Sequence, residues 1–235
     1  MLAYIDSRKM GRRQYEWLNS YFHFSFVEYR NPTNVQFGVL RVVNDDELQP
    51  GTGFDLHPHR NMEILSYVID GEMTHVDGLG NQHVLSSGQV QYIGAGTGLW
   101  HSGRNAGDTP LRFLQIWMFP DREGYAPSYS ECLFGLDDRR DKWLSIAAGA
   151  GYSDSCAPIR IRADVNVYAA IISEGKRLEF NVEKGRQAYL VLIDGQADVS
   201  DIVLSKRDAL KIVEEGVTII AEETSHVLVI EMAKG

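Results

Sequence analysis

The sequence predicts an all-β protein built from two antiparallel β-barrel units in tandem. Three observations predict it. Short apolar runs alternate with Gly-, Asp- and Pro-marked turns. The phrase Tyr67-Val-Ile-Asp-Gly71 returns as Val191-Leu-Ile-Asp-Gly195, an offset of 124 residues. That is too long for a solenoid unit of ~20–50 residues, so it reads as a duplicated domain. Helical periodicity is thin.

In chain order, residues 11–19 carry the only early helical signal, enough for a turn or two. Apolar runs follow at 63–69, 75–76, 82–85, 90–93 and 111–119. Each ends at a turn former, among them Asp70-Gly71, Asp77-Gly78, Ser87-Gly88 and Pro120. Residues 119–127 hold two prolines, one glycine and three charges, and read as the linker. The expected domains are therefore 1–125 and 126–235.

Composition narrows the function classes. The chain has 235 residues, 44% hydrophobic and 23% charged, which is ordinary for a globular protein. Lys plus Arg total 23 against 32 Asp plus Glu, a net charge of −9. That balance argues against direct nucleic-acid binding and against an anionic membrane surface. The opening residues 1–8 hold no signal-peptide h-region, and no apolar run reaches the ~20 residues of a membrane span. With Cys132 and Cys156 as its two cysteines, the chain is expected to be cytoplasmic and free of structural disulfides.

The chemistry gathers around Gly53-Phe-Asp-Leu-His57-Pro-His59-Arg-Asn-Met-Glu63. On a strand, residues two apart share a face, so His57 and His59 can reach one metal ion. Glu63 keeps the same parity and could return to the site after a bend at residues 60–62. His101, after the glycines at 94, 96 and 98, offers a third imidazole. Three imidazoles with or without a carboxylate suit Fe(II), Zn, Cu, Ni or Mn, and leave positions open for substrate or dioxygen.

These segments resemble a known family. His57-x-His59-x3-Glu63 with Gly71 looks like the first cupin motif, and Gly88 with Gly98-x2-His101-x3-Asn105 the second. More narrowly, Phe22-His-Phe-Ser-Phe26, Tyr29-Arg-Asn-Pro32, His57-Pro-His-Arg60 and Leu114-Gln-Ile-Trp117 resemble the pirin family. The resemblance implies a bicupin of two jelly-roll barrels, with one mononuclear metal, usually iron, in the N-terminal barrel. Some bacterial members resemble quercetin 2,3-dioxygenase, while eukaryotic pirins are nuclear transcription cofactors.

One position departs from that pattern. Pirin-like proteins usually have His-x-Glu in the second motif, with the Glu as a metal ligand. Here the position is Gly103. Three outcomes are open: Glu63 swings in, water fills the vacancy, or metal binds weakly or not at all. The second half carries no metal set. At the same offset His57, His59 and Glu63 become Asn181, Glu183 and Gln187, so a packing, interface or cavity-wall role is expected there.

Other residues are read as structural. His75 and His83 flank a turn and are expected to be exposed; His23 is expected to be half-buried among aromatics; His226 opens the last strand. Cys132 and Cys156 are expected to be inert thiols, and residues 137–142 a solvated charged loop. The four tryptophans are expected in the core, with Trp100 of interest beside His101. Gly94-x-Gly-x-Gly98 precedes no helix pattern, so it is no dinucleotide fingerprint.

Two classes of function remain. One is a metal-dependent dioxygenase opening a flavonol-like aromatic with dioxygen, with His57, His59, His101 and Glu63 as ligands and Glu63 as proton acceptor. The other is a metal- or redox-dependent regulatory protein that binds another protein. A family member that has lost activity is a third outcome, with Gly103 as its first sign.

Overall fold

The computed structural model describes residues 1–149, 151–152 and 155–235. It forms two compact units. One is Gly11–Phe134; the other combines Met1–Met10 with Gly135–Gly235. The first strand, β1 (Leu2–Ile5), thus belongs to the second unit.

The unit Gly11–Phe134 holds β2 (Gly11–Gln14), β3 (Leu18–Phe22), β4 (Leu40–Leu48), β5 (Gly53–His59), β6 (Glu63–Asp70) and β7 (Glu72–Asp77). It continues with β8 (Gln82–Ser86), β9 (Gln89–Gly94), β10 (Leu99–Arg104), β11 (Leu111–Met118) and β12 (Ser128–Leu133). These make a seven-stranded sheet, β12-β9-β6-β11-β4-β3-β2, and a four-stranded sheet, β5-β10-β7-β8.

Among its described residues the second unit has a short α-helix, α1 (Leu136–Arg139), and one 3-10 turn, Ser7–Lys9. Its strands are β13 (Leu144–Gly149), β14 (Ile159–Ile161), β15 (Val165–Ile172), β16 (Arg177–Asn181) and β17 (Arg186–Asp194). Then come β18 (Gln196–Val199), β19 (Ile202–Ser205), β20 (Ala209–Val213), β21 (Gly216–Ala221) and β22 (Ser225–Ala233). The sheet orders are β1-β20-β17-β22-β15-β13-β14 and β16-β21-β18-β19. The two units therefore repeat one topology, and the protein is an all-β bicupin. Each unit is a jelly roll of two antiparallel sheets rather than one closed barrel. Among the described strands one pair, β13 with β14, is parallel.

The repeated turn has a physical cause. Gly71 and Gly195 both sit at positive φ, 77° and 92°. A Cβ at either would stand 2.5 Å from a carbonyl oxygen, that of Pro110 or of Thr224. Both halves use glycine because the chain turns left-handed there against a neighbouring backbone.

The domain boundary differs from the sequence expectation of 125/126. Residues 128–133 return after the proline-marked stretch and pair with β9, from Ser128 opposite Gly94 to Leu133 opposite Gln89. β1 takes the matching place beside β20. Each edge strand covers hydrogen-bonding groups that an open sheet would expose. The expected helical turns at 11–19 are also corrected. Gly11–Gln14 pairs with Asn19–Phe22 across a tight turn, and that pairing overrides a weak local preference.

The core of the first unit is split. On the inner face of the large sheet, Leu48, Val68, Leu111 and Phe113 join one cluster. Ile64 and Ile93 join a second, with Trp117 packed against it. Between them runs a polar row in register: Asn44 opposite Gln115, Gln115 opposite Ser66, and Ser66 opposite Gln91. The corresponding row of the second unit is Tyr168, Val229, Leu190 and Leu210. There Leu190, Leu210 and Val229 belong to one continuous core, with Tyr168 packed against it.

Candidate metal centre and its cavity

The small sheet of the first unit brings three imidazoles together. His57 and His59 lie two apart on β5, and His101 on β10 stands directly opposite His57 in the ladder. A register shift between His101 and Gly103 follows at once. One ring nitrogen from each histidine lies within 4.8 Å of the others. Ring centroids are 4.8, 4.5 and 4.9 Å apart for the pairs His57–His59, His57–His101 and His59–His101.

Their electrostatics suit a cation. Burial pushes His101 down to about 3, with His57 and His59 adding to the effect. Burial and then His57 push His59 down to about 4. Both rings are neutral near pH 7 and keep a lone pair for a ligand bond. His57 Nδ1 lies 2.7 Å from the Asp55 carbonyl oxygen. A carbonyl only accepts, so Nδ1 carries the proton and Nε2 keeps the lone pair.

The site passes a test of fit. Both nitrogens of His101 are buried without a hydrogen-bond partner. A buried imidazole with neither nitrogen satisfied is costly unless something binds there. Three imidazole nitrogen donors match the preferences of a divalent transition metal.

Glu63 is not in the group. It lies on β6 in the other sheet, and its carboxylate accepts the Tyr92 hydroxyl at 2.6 Å. The parity argument fails because the chain changes sheets at residues 60–62, with Asn61 at φ 49°. Ile64 and Ser66 then take the inward face of β6, and Glu63 has the opposite parity. Gly103 does open on the cavity, and a Cβ there would meet only Met73 Sδ, at 3.7 Å.

The imidazoles line a cavity of about 270 Å³ within the unit. Its small-sheet wall includes His57, His59, His101, Met73 and His75; its large-sheet wall includes Asn44, Asp46, Ser66, Gln91, Gln115 and Trp117. Phe26, Phe54 and Phe113 add aromatic surface. Trp117 packs edge-on to His59, centroids 4.7 Å apart.

Some expectations need correction. His75 is buried, not exposed, because β7 pairs with β10 and sets it opposite Gly103. Its Nε2 donates to Asp77 Oδ2 at 3.1 Å, and burial lowers its pKa. His83 is partly buried, stacked on Tyr129, which stacks in turn on His75. His23 is fully buried. Trp100 is exposed at 53%, and the cavity tryptophan is Trp117. Arg139 is buried within the stretch expected to be solvated. Cys132 is half-buried and Cys156 exposed. Asn44 and Asp46 were missed, although two polar residues spaced i, i+2 in the long strand 40–48 were a readable signal.

Fold and site together define a bicupin whose first unit holds three imidazoles suited to a divalent metal ion. Comparison with known proteins narrows this further. The chain belongs to the pirin family: residues 5–118 match Pirin, and residues 146–232 match the quercetinase C-terminal cupin domain. It is 39% identical to a pirin-like protein of Caulobacter vibrioides over 96% of this chain and 97% of that one. It is 31% identical to a quercetin 2,3-dioxygenase of Escherichia coli over 99% of each. It is also similar to the crystal structure of the bacterial pirin YhhW of Escherichia coli in complex with nickel(II). That match has a TM-score of 0.92 and 28% identity, and covers 100% of both chains.

Proposed function

We propose that this protein is a metal-dependent dioxygenase that opens a flavonol-like aromatic ring with dioxygen. The observation that carries the reading is a set of three converging imidazoles facing a cavity walled by aromatic side chains. His57, His59 and His101 hold the ion, with iron first in order of expectation and Zn, Cu, Ni or Mn as alternatives. When bound, the ion supplies Lewis-acid chemistry at the cavity wall. The Asp55 carbonyl fixes the His57 ring, so Nε2 is presented without a search over tautomers. Phe54, Phe113 and Trp117 exclude water and offer flat apolar surface to an aromatic ligand. The relatives named for quercetin 2,3-dioxygenase activity support the substrate class.

The test is oxygen uptake by metal-loaded protein given quercetin. Oxygen consumed in step with loss of the flavonol absorbance is the expected result. No uptake with any of the five metals defeats the reading.

A further inference from the structure

The large-sheet wall of the cavity holds polar groups that the proposed reaction leaves unused. Asn44 and Asp46 lie two apart on the inner face of β4, and each is 3% exposed. Strand interiors of this kind are filled with apolar side chains in the second unit, where Tyr168, Val229, Leu190 and Leu210 occupy the matching row. The first unit gives up that packing across four strands. The cost is offset only if the polar row is used.

Three members of the row already make hydrogen bonds. Ser66 Oγ donates to Gln115 Oε1 at 3.3 Å, and Gln91 Nε2 donates to the Tyr129 hydroxyl at 3.3 Å. Asn44 is different: its Oδ1 is buried and has no partner. Trp117 Nε1, on the same wall, is buried and unpartnered as well. Asp46 Oδ1 accepts the Ser20 hydroxyl at 2.5 Å. Asp46 is the one carboxylic acid in the cavity lining among the described residues.

We infer that Asn44 and Asp46 form a second recognition face, opposite the imidazoles, that binds hydroxyl groups on the far end of an aromatic ligand. The inference rests on the proposed function and adds to it a specificity element. Asn44 Oδ1 accepts a hydrogen bond from one hydroxyl, and Asp46 takes a second hydrogen bond. The imidazole side holds the ligand's metal-binding end. A ligand engaged at both ends is a flat, polyhydroxylated aromatic; one with a single chelating hydroxyl satisfies only one wall. Burial raises Asp46 to about 7, with Asp45 adding to the rise and Arg13 opposing it. Near neutrality Asp46 can therefore accept or donate, which suits a hydroxyl partner.

The experiment compares quercetin with 3-hydroxyflavone, which keeps the chelating hydroxyl and lacks the others. Dissociation constants are measured anaerobically on the metal-loaded protein and on Asn44→Leu and Asp46→Asn. Wild type is expected to prefer quercetin by about tenfold or more, as for a lost hydrogen bond to a buried partner. Asn44→Leu should bring that preference close to unity while metal content and 3-hydroxyflavone binding stay unchanged. Asp46→Asn keeps the shape and should reduce the preference in part, so the idea remains testable if Asn44→Leu does not fold. Quercetin bound and turned over with an unchanged preference in both variants overturns this inference alone. Quercetin neither bound nor turned over by wild type overturns the proposed function, and this inference with it.

Discussion

His101 stands directly across the β5–β10 ladder from His57, with the two ring centroids 4.5 Å apart. Cross-strand neighbours on one face are held by the backbone pairing itself. The two rings thus converge before any ligand arrives, and His59 joins them by strand parity alone. A preformed site binds without a large ordering cost.

His57→Ala should cut retained metal to less than about a tenth of wild type while the fold survives. His57 is partly exposed, so its loss leaves no deep core cavity. Metal analysis beside circular dichroism checks this. Full metal retention would remove His57 from the ligand set.

Acid should destabilise the metal-free protein through His59 and His101. Their folded pKa values lie near 4 and 3, below the ordinary 6.5. Between these limits the unfolded chain binds protons that the fold refuses, so stability falls as pH drops from about 6.5 towards 3. Replacing His101 with Gln should flatten that fall. Urea midpoints at pH 7.5 and 5 provide the comparison.

Asp46→Asn should stabilise the protein at neutral pH. The folded carboxyl titrates near 7, against an ordinary 3.8. A raised carboxyl favours the fold under acid, and that contribution is lost as pH rises from about 4 to 7. The variant should gain on the order of a few kcal/mol above pH 7 and nothing near pH 4. A Tm gain that does not vary with pH would contradict the assignment.

Glu63→Gln should leave metal content unchanged and lower stability by about 1–3 kcal/mol, because the buried carboxylate serves the Tyr92 hydroxyl rather than the imidazoles. Loss of metal with unchanged stability would restore Glu63 as a ligand.

Gly103→Glu should tighten metal binding by tenfold or more. The position opens on the cavity, and its backbone does not need glycine. A fourth, charged ligand complements a dication held by three neutral ones. Competition with a chelator of known affinity measures the change.

The fold was legible because period-2 patterns and glycine turns are local signals, and His57, His59 and His101 sit on strands where parity or flanking glycines mark them. What stayed hidden depends on pairing between distant segments. His75 looked like a turn residue, and only the approach of β10 buries it. Glu63 shared a parity with His57 and lost it where the chain passed from one sheet to the other. The boundary was misjudged because β12 and β1 each find their partner away from the strands beside them in sequence. Asn44 and Asp46 share a face of β4, but nothing local in the sequence says that this face looks inward. The facing sheet turns it into an interior wall.

The placement of β1 sets an order of events during synthesis. Leu2 pairs with Ile212, so β1 waits for a strand made about 210 residues later. At roughly 5–20 residues per second that wait is on the order of 10–40 s. The unit that carries the imidazoles needs nothing beyond Phe134 and can close while the rest is still being made. The second unit cannot complete its large sheet until β20 and β22 have been made. In the interval β1 is a strand without its partner, the natural point for a chaperone, or for a neighbouring chain on the same polysome, to intervene.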